Sequence, residues 1–96
     1  MITTKQRAYL RKLANDIKPI FQVGKGGISD NTIKQFDESL EARELVKATV
    51  LKNSMEDSYG VCNKLAKKLN AEVVQVAGNR FVLYRESREN PLINIP

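Results

Sequence analysis

Apolar residues recur along this chain with two different periods, and the switches between them mark out seven elements. Thr3 and Gln6 have the spacing of a helix capping box, and Leu10, Leu13, Ala14 and Ile17 follow at i, i+3, i+4 and i+7. This predicts an amphipathic helix running to Lys18, because Pro19 disfavours helical backbone in the residue before it. Ile20 to Val23 then reads as a short strand. Ser29 suits a helix N-cap, with Ile28 and Ile33 at the two positions of a hydrophobic staple, and Ile33, Phe36 and Leu40 continue one apolar stripe. The β-branched stretch Leu45 to Leu51 reads as a strand and Asn53 to Glu56 as a turn. Cys62, Leu65, Ala66 and Leu69 repeat the helical spacing, with Asn70 as a left-handed stop. Glu72 to Val76 and Arg80 to Arg85 are two antiparallel strands joined across Ala77-Gly78-Asn79.

The order is α-β-α-β-α-β-β, two crossover units closed by a hairpin. It predicts an α/β fold with a four-stranded mixed sheet and helices packed against it. Neither an internal repeat nor a low-complexity tract interrupts the pattern. The tail from Glu86 to Pro96 is polar and then mildly apolar (Leu92, Ile93, Ile95), and is expected to fray or to dock weakly.

Length and composition narrow the function classes. With 96 residues, 42% of them apolar, the chain has room for one domain over 1–96, with a core at about 3–85. Its longest unbroken apolar run is Phe81 to Tyr84, far short of the ~20 residues of a membrane span. The first residues carry no apolar signal core, so a soluble, cytoplasmic, monomeric protein is expected. A single cysteine, Cys62, and the absence of histidine argue against a disulfide, a zinc site and every nucleophile-histidine pairing. Neither metal, cofactor nor catalysis is expected.

The net charge is +5, and it is unevenly placed. Met1 to Gly27 carries +5, Ile28 to Gly60 carries −3 and Val61 to Pro96 carries +3. Such a division predicts one positive and one negative side and a polyanionic partner, nucleic acid before an anionic membrane surface. On the first helix, Arg7, Arg11 and Lys18 fall within about 40° of one another at 100° per residue, forming a basic ridge beside the apolar stripe.

Gly24-Lys25-Gly26-Gly27 holds three of the five glycines and joins a strand to a helix start. Successive exposed amides followed by a helix N-terminus make an anion-binding concavity, with Lys25 adding mobile charge and Arg7, Arg11 and Lys18 extending the site along a sugar-phosphate backbone. The plain alternative is a tight connection. The Walker loop G-x-x-x-x-G-K-[ST] and the dinucleotide fingerprint G-x-G-x-x-G both fail here, the latter because position 29 is serine. A KH domain clamps nucleic acid with a GxxG loop between two helices, whereas a strand precedes this one.

Asp37, Glu38, Glu41 and Glu44 read as the solvated outer face of the second helix. Lys64, Lys67 and Lys68 read as a second solvated face, with contact to RNA as the alternative. Cys62 reads as a core residue, and Tyr84 either stacks on a base or packs inside.

Gln6-Arg7, Leu10-Arg11, Leu13-Ala14, Lys18-Pro19, Gly24-Lys25-Gly26-Gly27-Ile28-Ser29, Glu44-Leu45-Val46-Lys47, Val74-Gln75-Val76 and Leu83-Tyr84-Arg85 form an ordered set over about residues 3 to 85. The set resembles the CRM domain, the chloroplast RNA splicing and ribosome maturation module, in its stand-alone bacterial, YhbY-like form. Ser29 stands where the pattern often has threonine, and either serves as N-cap. The resemblance implies a fold similar to the C-terminal domain of translation initiation factor three. It also implies RNA binding through the GxxG loop, Gly24 to Gly27, and the basic positions Arg7 and Arg11, and association with ribosomal RNA of the large-subunit precursor. It brings no catalytic activity. The competing expectation is a protein-interaction module that docks into a ribosomal complex through the acidic second helix.

Overall fold

The computed structural model describes residues 2–96, and the element order follows the predicted one: α1 (Thr4–Ala14), β1 (Phe21–Val23), α2 (Asp30–Arg43), β2 (Leu45–Val50), α3 (Ser58–Leu69), β3 (Glu72–Ala77) and β4 (Arg80–Tyr84). The strands form one sheet in the order β1-β2-β4-β3. β1 and β2 are parallel, with Val23 beside Val50, while β4 runs antiparallel to both β2 and β3. Both crossovers, through α2 and through α3, therefore join parallel strands, and β4 is inserted between the second pair.

Each face of the sheet is covered. On one face α2 and α3 pack Phe36, Leu40, Cys62 and Leu65 against Val46, Ala48, Phe81 and Leu83. Phe21, Phe36 and Phe81 stack in a column from β1 to β4, with ring centroids 4.2 and 6.2 Å apart. On the other face α1 packs Leu10 and Ala14 against Leu45, Val74, Val82 and Tyr84. Successive residues of β4 thus point to opposite cores, which explains the unbroken run Phe81 to Tyr84. Tyr84 is buried and packed, so the stacking role left open for it is excluded. Burial, then Glu44 and Glu86, raises its pKa. Among the described residues no helix is long and apolar enough to cross a membrane.

The helix caps match their sequence signals. Thr3 and Gln6 form the reciprocal capping box, Ser29 accepts from the Thr32 amide, and Asn70 ends α3 in the left-handed conformation. The end of α1 differs from expectation. The helix stops at Ala14, and the Asp16 and Ile17 amides donate to Leu13 and Ala14, closing tight i to i+3 turns. Asn15 and Asp16 are poor helix formers, and this early stop lets Ile17 fold onto the α1 core. Lys18 consequently lies in the extended link to β1 and not on the helical flank of Arg7 and Arg11.

A second difference concerns the acidic face of α2 and the tail. Glu44 is fully buried, caps α2 at φ 66°, and its carboxylate accepts hydrogen bonds from the amides of Ser87, Leu92 and Ile93 at 2.6–2.7 Å. Glu41 accepts from the Ser87 hydroxyl and the amides of Arg88 and Glu89. Asp37 pairs with Arg85 at 2.7 Å. Three of the four acids read as solvated therefore have partners within the chain, and Glu41 and Glu44 hold the tail so that Ile93 and Ile95 complete the α1 core instead of fraying.

Candidate nucleic-acid interface

The parallel register puts the C-terminal ends of β1, β2 and β3 at one end of the sheet, together with the Gly78-Asn79 hairpin. Gly24 to Gly27 leaves from that end, at the β1 edge. A turn closes the loop, with the Gly27 amide donating to the Gly24 carbonyl at 3.0 Å. Of the amides expected to face an anion, that of Gly27 is therefore satisfied internally. Those of Lys25 and Gly26, the central residues of the turn, have no acceptor among the described residues, and both residues are exposed.

The three glycines are there for different reasons. A Cβ on Gly24 would stand 3.2 Å from Asn53 Oδ1 and 3.3 Å from Leu51 Cδ1, so close packing requires it. Gly27 has φ +64°, which side-chain-bearing residues rarely adopt. Gly26 has neither constraint: a Cβ there would meet nothing within 4 Å, and its backbone lies outside the left-handed region. Neither close packing nor a left-handed backbone requires a glycine at 26.

The basic neighbours of the loop are not those that sequence spacing suggests. Beside Ile28, just past the loop, a cleft of about 560 Å³ is lined by Lys64, Lys67, Lys68 and Glu56. Lys64 is ion-paired with Glu56, while Lys67 and Lys68 have no carboxylate partner among the described residues. Packing of α2 on α3 therefore brings the α3 lysines beside Ile28, just before the start of α2. Only the crossover topology shows this, since some 40 residues separate the lysines from the loop.

Arg7 and Arg11 stand elsewhere. They line a cleft at the β3 edge with Tyr59, Asn63 and Val73 to Val76, and Arg7 Nε donates to the Val73 carbonyl at 3.0 Å. Three inter-strand steps, roughly 14 Å, separate the edges formed by β1 and β3. The expected continuous ridge beside the loop is thus divided: the loop lies at the β1 edge and the two arginines at the β3 edge, with the α3 lysines in the cleft beside Ile28. Lys18 is exposed in the link before β1.

The remaining titratable groups offer no second site. Burial pushes the Cys62 thiol from 9.0 up to about 12, leaving it an inert core residue. Backbone and side-chain hydrogen bonds from Arg88, Ser87 and Glu89 hold the Glu41 carboxyl down to about 2. Of the four acids expected to face a basic protein, Glu44 is buried and Glu41 and Asp37 are engaged within the chain, while Glu38 is exposed. Among the described residues no group of three or more His, Cys, Asp or Glu side chains is placed to hold a metal ion.

A model of the CRS1 / YhbY (CRM) domain matches residues 2–85. The chain belongs to this family. Along its whole length it is 52% identical to the whole of "Probable RNA-binding protein YqeI" of Bacillus subtilis. It is 30% identical to a Haemophilus influenzae protein named "RNA-binding protein", over 92% of this chain and 89% of that one. The solution structure of the protein SAV1595 of Staphylococcus aureus superimposes with a TM-score of 0.82 at 51% identity, covering all of both chains.

Within this CRM domain, two features escaped sequence reasoning. One is the proximity of the α3 lysines to Ile28, which needs the topology. The other is Tyr59, a large aromatic two-thirds exposed on α3; it stands three residues before Cys62 and about 20° from Ala66 at 100° per residue, so spacing alone extends the apolar stripe to it and hides its exposure.

Proposed function

We propose that this chain is a non-catalytic RNA-binding protein, a cytoplasmic ribosome assembly factor that holds ribosomal RNA of the large-subunit precursor. The strand of phosphates lies on Gly24, Lys25, Gly26 and Gly27, against Lys67 and Lys68. Arg7, Arg11 and Lys18 supply further phosphate contacts away from the loop. The names of the relatives support RNA as the partner, and the family resemblance supports the ribosomal precursor. The observation that carries the loop assignment is Gly26, a glycine with space for a side chain, no backbone constraint and an unpaired amide.

Lysines that neutralise phosphates release counterions, so affinity falls with salt. With about five phosphates neutralised, binding to single-stranded RNA weakens roughly 100-fold between ~50 and ~200 mM salt. Fluorescence anisotropy across that range, on the parent and on Lys25→Ala, tests the reading. A flat salt response, or parent-like binding by Lys25→Ala, contradicts it. Crosslinking in cells and sequencing of the attached RNA tests the ribosomal precursor; recovery of other RNA classes alone contradicts that part.

A further inference from the structure

The cleft at the β3 edge, about 570 Å³, has the chemistry of a nucleotide site in its own right. Arg7 and Arg11 wall it from α1, Tyr59 and Asn63 from α3, and the main chain of Val73 to Val76 forms its floor, with no acidic residue in the lining. Tyr59 is 67% exposed and adds nothing to either core. Asn63 Nδ2 donates to the Tyr59 carbonyl at 2.8 Å, which orients the carboxamide and leaves its oxygen free to accept. Two guanidinium groups, an exposed aromatic ring and an oriented amide match phosphate, base face and base edge respectively.

The edge is poorly suited to an added peptide strand. The register shift between Val73 and Gln75 breaks the regular ladder, and Arg7 already occupies the Val73 carbonyl. The charge is also wrong for most peptides and right for a polyanion.

The helix α3 joins this cleft to the loop. At 100° per residue, counting from Tyr59, Asn63 lies at about 40°, Lys67 at about 80°, Lys64 at about 140° and Lys68 at about 180°. One polar arc thus winds around the outside of α3 from the β3-edge cleft to the cleft beside Ile28, around a helix about 10–12 Å thick and over about 13 Å of its length from Tyr59 to Lys68.

We propose that α3 is a saddle over which a single RNA strand passes. Its phosphates rest at the glycine loop, Lys67 and Lys68; a base stacks on Tyr59 with its edge at Asn63; and Arg11, with the remaining donors of Arg7, holds the backbone beyond. The saddle rests on the loop reading above and adds a base-recognition site to it.

Tyr59→Ala tests the stack on a folded protein, since the side chain is exposed. With RNA of about ten nucleotides, its affinity drops roughly 5- to 150-fold, the range of one base-aromatic stack, and Tyr59→Trp restores it. Arg11→Ala lowers the magnitude of the salt slope by about 0.7. With RNA of about three nucleotides, which reaches only the loop cleft, Tyr59→Ala binds like the parent while Lys67→Ala/Lys68→Ala does not. If Tyr59→Ala binds the long RNA like the parent while the lysine variant fails, the saddle is overturned and the loop reading stands. If the lysine variant also binds like the parent, both fall. Loss in Tyr59→Ala without rescue by tryptophan overturns the stack. Chemical shifts at Tyr59 and Asn63 that respond to an extended peptide and not to RNA overturn the proposal in favour of strand addition.

Discussion

Two places in this molecule gather backbone amides around a point, and they have opposite fates. In the turn after β4, the amides of Ser87, Arg88, Glu89, Leu92 and Ile93 converge on the carboxylates of Glu41 and Glu44. In the loop after β1, the amides of Lys25 and Gly26 have no acceptor among the described residues. The first is an anion site filled by the chain itself; the second is a pair of free donors, the anion site proposed above. The Ser87 amide is buried and those of Leu92 and Ile93 are part-buried against the buried Glu44 carboxylate, so these donors and that carboxylate must satisfy each other for the fold to hold. Exposed donors on a glycine turn need no internal partner, so a partner molecule can use them. The same backbone chemistry supports stability in one region and, in the function proposed here, recognition in the other; what separates them is a carboxylate of the chain itself within reach.

This contrast can be broken from either side. The largest effect belongs to Glu44→Ala, which leaves three amides without their acceptor. An unsatisfied buried donor costs about 1–3 kcal/mol, the full amount applying to Ser87 and a part of it to the part-buried amides of Leu92 and Ile93, so a loss of about 3 kcal/mol and a drop of more than about 10 °C in melting temperature are expected. RNA affinity measured well below the melting point stays near that of the parent. Next comes Lys67→Ala/Lys68→Ala, with thermal unfolding unchanged. By counterion release, removing two phosphate contacts weakens RNA binding about 20-fold at ~100 mM salt and lowers the magnitude of the salt slope by about 1.4.

Gly26→Ala sharpens the comparison because its two readouts move apart. The added methyl has room and an allowed backbone, so stability holds or rises by up to about 1 kcal/mol, while RNA binding weakens severalfold as the methyl keeps the phosphate off the main chain. Unfolding and anisotropy on the same preparation check it.

The smallest effect is on pH dependence. The Glu41 carboxyl titrates at about 2 when folded against 4.5 ordinarily, so its hydrogen bonds stabilise the fold above pH ~4.5 and are progressively lost as the pH falls towards 2. Denaturation at intervals across that window shows falling stability in the parent and a shallower fall in Glu41→Gln.

The sequence carried the fold further than the site. Periodicity and caps located every element, because Thr3, Ser29 and Asn70 act through local hydrogen bonds that residue type alone reveals. The end of α1 was less legible, since Pro19 marks only the latest possible stop and the packing of Ile17 set the earlier one. Glu41 and Glu44 read as solvated because the ligands that bury them lie more than 40 residues away, on a tail with no periodic pattern. The loop was visible as Gly24-Lys25-Gly26-Gly27, but its basic companions were not. Spacing along one helix proposed Arg7, Arg11 and Lys18, whereas the crossover through α3 delivers Lys67 and Lys68. Local chemistry is written in neighbouring residues; a site assembled across a sheet is not.

The central claim is that RNA reaches the main chain of the glycine loop. Amide chemical shifts recorded while the protein is titrated with single-stranded RNA test it directly, because both amide clusters are observed in one experiment. The amides of Lys25 and Gly26 are predicted to shift and saturate with the RNA, while those of Ser87, Leu92 and Ile93 keep their positions. Lys25 and Gly26 signals that stay fixed at saturating RNA would contradict it.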